Sequence, residues 1–187
     1  DCPDKQVHEV VEGLWPLVID LFGYDNRNVQ IYCVRAMTET LRPNRDYYRL
    51  FINETVSTAV INFLQSKDND IEYYTLQLLS RLYDCMEEDF SFYINKGLLN
   101  IMNSLFEEWT SKCLSLLCDI CENFSENIVQ VGFLPLLCKL LDDIKYKEDA
   151  IYVLSWLEIS FESSLTILGS SMFYSSEYVL RTDENPE

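Results

Sequence analysis

A single histidine in 187 residues rules out a histidine cluster for a metal and argues against a Ser/His/Asp arrangement. Glycine and proline are also scarce, at five each, and they fall between apolar periodic runs, which favours helices over short-stranded sheets. Basic residues are outnumbered: 14 Lys and Arg stand against 31 Asp and Glu, for a formal charge of −17. Such a chain repels nucleic-acid phosphates and anionic lipid surfaces. No apolar run approaches the ~18 residues that a membrane span needs. Neither G-x-x-x-x-G-K-[ST] nor G-x-G-x-x-G occurs, so phosphate cradling is unsupported.

What is abundant is apolar surface. Apolar residues make up 48% of the chain, enough for a core and too many for a disordered polymer. A globule of this size buries roughly 70% of its unfolded surface. The acidity either selects a basic partner or serves only to keep the chain soluble.

Seven cysteines form an odd set inside apolar helical patterns, with no secretory signal or small-scaffold spacing around them. They point to a reducing cytosol or nucleus. The chain opens at Asp1 without an initiator Met, which is compatible with a removed N-terminal segment. Three of the cysteines, Cys113, Cys118 and Cys121, fall in "SKCLSLLCDICENF" with the C-x4-C-x2-C spacing that iron–sulfur and zinc sites also use. On a helical wheel, however, Cys113 and Cys118 point about 140° apart and stand more than one turn apart. Cys118 and Cys121 share a face at i and i+3, but thiolate sites usually need four ligands, and the only histidine, His8, is remote. "CDIC" follows no strand pattern, so a thioredoxin-like role lacks its context. The expectation is three small hydrophobes packed between helices, with no metal and no cofactor.

The organisation is repetitive. "GLWPLVIDLF", "TVSTAVINFL", "GLLNIMNSLF" and "GFLPLLCKLL" begin at Gly13, Thr55, Gly97 and Gly132, at intervals of 42, 42 and 35 residues. A weaker version opens at Gly169. Longer amphipathic runs lie between them, "NVQIYCVRAMTETL", "DIEYYTLQLLSRLYD", "WTSKCLSLLCDICENF" and "KEDAIYVLSWLEIS", each followed by a shorter third segment. A period near forty with only helical signals indicates a solenoid.

The segments "INKGLLNIMNSLF" and "VQVGFLPLLCKLL" carry a family resemblance: an apolar residue, a glycine at a helix corner, then an apolar second helix. In this the chain resembles the armadillo repeat family over nearly its whole length, with Thr55 replacing the glycine in one unit. The resemblance implies an all-α, right-handed superhelical solenoid of about four three-helix repeats, near 6–54, 55–96, 97–131 and 132–168, with a C-terminal cap at 169–187.

Aligning the long runs on Cys33, Thr75, Cys113 and Ala150 puts a small residue at one shared position and leaves one stripe across each wheel at about 160–260°. Its middle is held by Arg35 and Glu39, Gln77 and Arg81, Ser115 and Asp119, and Tyr152 and Trp156. The resemblance implies that these line the concave face and meet a partner protein. Importin-α-like members hold Trp and Asn at these two places, to clamp an extended basic peptide. No unit here has that pair, and two arginines occupy the first half of the stripe. Trp156 is either a binding anchor or covered by the chain's own "MFYSSEYVL". Tyr32, Tyr73 and Tyr74 flank the stripe.

Acidic pairs at 87–89, 107–108 and 142–143 sit between helical runs and read as caps or solvated turns, not as catalytic carboxylates. The expected function is therefore a non-enzymatic protein-binding scaffold or adaptor, cytoplasmic or nuclear. Two alternatives are an Hsp70-type chaperone cofactor acting as a nucleotide exchange factor and an importin-α-like transport adaptor for a basic peptide.

Overall fold

The computed structural model describes residues 3–41 and 45–157. Its regular elements are all helical: α1 (Pro3–Phe22), α2 (Arg27–Thr40), α3 (Glu54–Leu64), α4 (Asn69–Met86), α5 (Ser91–Asn95), α6 (Leu98–Leu105), α7 (Thr110–Val131), α8 (Leu134–Leu140) and α9 (Lys147–Trp156). Short 3₁₀ turns span Arg45–Phe51 and Glu87–Phe90.

Local chemistry sets the helix starts. Asn26, Asn53 and Asp68 each hold an extended backbone and accept two N–H groups of the first turn, opening α2, α3 and α4. Such a cap is worth about 1 kcal/mol. Further along the chain the corners turn on glycine instead: Gly97 (φ 84) precedes α6 and Gly132 (φ 90) separates α7 from α8. A side chain there would force a left-handed L-residue. At Thr55 the missing glycine is not needed, because Asn53 makes that corner with an extended backbone.

One expectation is corrected. Gly13 marks no corner, since α1 runs through it from Pro3 to Phe22. Glycine permits a corner without requiring one, and the apolar periodicity on both sides of Gly13 continues the helix. The short segment "ENIVQVG" is set off as expected: within α7 two helices meet at a kink at Phe124 (φ −129, ψ 26), where the long run ends. The first short segment, around "YYRLFIN", is a 3₁₀ turn.

The long helices lie side by side, α2 packed on α4, α4 on α7, and α7 on α9, and the first three run the same way. Hydrogen bonds one layer apart fix the direction. Arg27, starting α2, binds Asp68 at 2.5 Å and also Asp70, both starting α4. Trp109, just before α7, donates to Glu72 in the first turn of α4. Farther along, Asn123 of α7 donates to the hydroxyl of Tyr83 of α4 at 2.8 Å. Starts meet starts and later turns meet later turns. Tyr93 to the Phe51 carbonyl and Lys96 to Glu54 add links spanning 42 residues each.

The position shared by Cys33, Thr75, Cys113 and Ala150 is buried in every layer, at 4% exposure or less. Small side chains there let neighbouring helices approach. Around them runs one continuous core from Trp15 to Leu157, joined between layers by edge-on rings such as Trp15–Phe51 and Phe106–Phe133.

Glu72 is the charged group most deeply placed in this core among the described residues, 3% exposed. Its two oxygens accept from the Lys67 backbone N–H at 2.9 Å and the Trp109 indole at 3.0 Å. One carboxylate thus holds the left-handed turn at Lys67 (φ 58) and ties α4 to the start of α7. Glu72→Ala strands both donors and is expected to cost about 2–3 kcal/mol in urea unfolding, against about 1 for Glu72→Gln, which keeps an acceptor. A loss below about 0.5 kcal/mol for the alanine variant, the size of an ordinary surface change, would show that Glu72 does not join the layers.

Candidate functional site: a groove across the long helices

Parallel stacking turns the wheel positions into a surface. Arg35, Glu39, Gln77, Arg81 and Ser115 line one groove of about 390 Å³, with Thr38, Tyr74, Ser80, Asp84 and Lys112. Asp119 adjoins it, accepting a hydrogen bond from Ser80 and facing Asp84. Tyr152 and Trp156 do not line this groove. They lie one layer on, along α9, packed edge to face with centroids 6.4 Å apart. Trp156 is 37% exposed and Tyr152 47%. The segment 172–180, expected as a cap over Trp156, lies outside the described residues, as does the unit expected at 169–187.

The groove has two sides of opposite chemistry. Toward the helix starts, Arg35 sits over the Tyr74 ring at 5.4 Å and Lys112 over the Tyr73 ring at 4.9 Å. The Tyr73 hydroxyl accepts from Gln77 at 3.1 Å, and the two tyrosines meet edge to face. Each cation–π pair is worth about 0.5–1 kcal/mol when exposed, so the tyrosines hold the two cations in place. One or two turns farther along lie the carboxylates Glu39, Asp84 and Asp119, with Arg81 3.9 Å from Asp84. Burial, and then the Asp84 charge, push the Asp119 carboxyl up to about 6, while the Ser80 hydroxyl pulls the other way.

The cysteines take separate directions. Cys113 is fully buried and its thiol points at the Met102 carbonyl of α6, 3.8 Å away. Cys118 faces the opposite neighbour, 3.7 Å from the Asp149 carbonyl of α9. Cys121 donates within its own helix to the Cys118 carbonyl. Burial pushes the first two thiols up to about 12 and the third to about 11, which keeps all three protonated and poor metal ligands. Among the described residues no group of three or more His, Cys, Asp or Glu converges on a metal-sized site, and no helix is long and apolar enough to cross a membrane.

Among solved structures, a designed armadillo repeat protein in complex with the peptide (KR)4 superposes with TM-score 0.72 at 15% identity, over 82% of this chain and 69% of that one. A second designed armadillo repeat protein gives 0.70 at 16% identity, over 82% and 69%. The chain has the armadillo repeat fold. An engineered protein from the Northeast Structural Genomics Consortium aligns at 0.71 and 17% identity, over 83% and 67%. No protein-family model and no curated protein matches the sequence.

The groove also holds residues outside the eight read from the stripe. Tyr74 and Lys112 stand one place before the small seam residue, and Asp84 nine places after it. The wheel sets them at about 260° and 180°, inside the stripe's limits. Choosing two places per helix left them out. Thr38 and Ser80, at about 140°, sit just beyond its edge.

An acid whose folded pKa is raised is most stabilised below its unfolded pKa, and that stability is lost as pH rises through the folded value. For Asp119 the window runs from about pH 4, its unfolded value, to about 6. Because the group is half-solvated, the expected loss is about 1–2 kcal/mol, less than the nominal shift implies. Asp119→Asn should therefore be more stable than wild type at neutral pH by that amount and equal to it near pH 4, read from urea unfolding at both. Parallel profiles would contradict the placement of Asp119 beside Asp84.

Proposed function

We propose that the groove across α2, α4 and α7 binds an extended segment of a partner protein, and that the chain acts as a non-enzymatic scaffold or adaptor. The observation that carries this reading is the pair of opposed rails: Arg35 and Lys112 on tyrosine faces along one side, and Glu39, Asp84 and Asp119, with Arg81 beside Asp84, along the other. Successive side chains of an extended peptide point to opposite sides. A segment laid across the layers would turn acidic residues to the first rail and basic residues to the second. Stacked repeats commonly offer such a surface, and a designed armadillo neighbour was solved holding a peptide of Lys and Arg. Here the cationic rail works against a wholly basic ligand. On this reading Tyr152 and Trp156 lengthen the surface by one layer, and the protein resides in the cytosol or nucleus, where its thiols stay reduced.

The test is fluorescence anisotropy with three labelled octapeptides: alternating Glu and Lys, all Lys and Arg, and all Asp and Glu. The alternating peptide is expected to bind most tightly, more weakly with added salt, and at least tenfold more weakly to Arg35→Glu/Lys112→Glu. Tightest binding of the Lys/Arg peptide would replace the two-rail reading with that of a transport adaptor for basic cargo.

A further inference from the structure

Helix α1 carries two apolar stripes, and the fold uses only one. Trp15 and Phe22 are buried against the next layer, with Val18 and Ile19 packed beside them. Leu14, Leu17 and Leu21 point elsewhere and are exposed by 52%, 58% and 40%. Their spacing of three and four residues is that of a coiled-coil seam, and the sequence continues it backward through Val10 and Val7. Tyr24, 60% exposed, follows at the end of the helix. Scattered exposed leucines are ordinary, but a run on one line of one helix marks an interaction surface.

Charge decides what fits it. The core borders one side of the stripe. Along the other lies Asp20, and the sequence of α1 has four acidic residues against one lysine. A second copy would set acid against acid, in a chain already at −17. Residues 158–187 are no better matched in sequence, with six carboxylates and one arginine. We propose that the Leu14–Leu17–Leu21 stripe of α1 is a docking face for a basic-flanked amphipathic helix of another protein. The partner's apolar seam would lie along the leucines and its lysines or arginines would reach the acidic border. The surface is separate from the groove, and the proposal holds whether or not the groove binds a peptide.

The probe is a labelled three-heptad peptide with leucine at the seam positions and lysine beside them, measured by anisotropy at near-physiological ionic strength. Saturable one-to-one binding is expected. Replacing the peptide's lysines by glutamate, or using the Leu14→Gln/Leu17→Gln protein, whose charge is unchanged, should weaken it at least tenfold. In the wild-type protein, methyl resonances of Leu14, Leu17 and Leu21 should shift on binding, which locates the contact even if the variant folds poorly. Three results would overturn the proposal: equal binding by the double variant, methyl shifts centred on the groove, or a wild-type dimer in sedimentation that the double variant abolishes.

Discussion

Every layer of this molecule depends on one close approach. Each long helix carries a small buried side chain at one shared position where neighbouring helices pack: Cys33, Thr75, Cys113 and Ala150 in turn. A larger residue at that position would push the helices apart, and packed interiors absorb added volume poorly. The close approach then brings the flanking rings together. It also puts Glu72 within reach of Trp109 and Asn123 within reach of Tyr83.

The groove is a consequence of the same geometry. Because α2, α4 and α7 run in one direction, residues at similar heights gather into bands that cross the layers. Arg35, Tyr74 and Lys112 lie in the band nearer the helix starts, and Glu39, Arg81, Asp84 and Asp119 in the band beyond. Had alternate helices been antiparallel, these charges would have mixed and no rail would exist. The surface chemistry therefore follows from helix direction as much as from residue identity. On α1 the leucines Leu14, Leu17 and Leu21 lie outside these contacts and are exposed.

The sequence alone exposed the period, the long helices and the seam position, because each depends on spacing and on buried side-chain size. It also separated Cys113 from Cys118, since a wheel needs only the helical repeat angle. Other features depend on contacts between layers. The run through Gly13 could not be told from a corner, because glycine tolerates both conformations. The kink at Phe124 that sets off "ENIVQVG" fell where the sequence ended its long run, but the contact of Phe124 with Phe90 of the layer before did not show in it. The roles of Tyr74, Lys112 and Asp84 emerged only once the height of each residue along parallel helices was known. Tyr74 alone among these three was already marked as flanking the stripe.

The parallel stacking is the claim to test first. Methyl-labelled protein studied by nuclear Overhauser spectroscopy reports which helices touch. The account predicts contacts from Met37 and Val34 to α4, from Leu76 and Leu79 to α7, and from Leu116 and Leu117 to α9. They should appear in that order along the chain. Strong contacts between α2 and α9, as in a closed bundle, would contradict it.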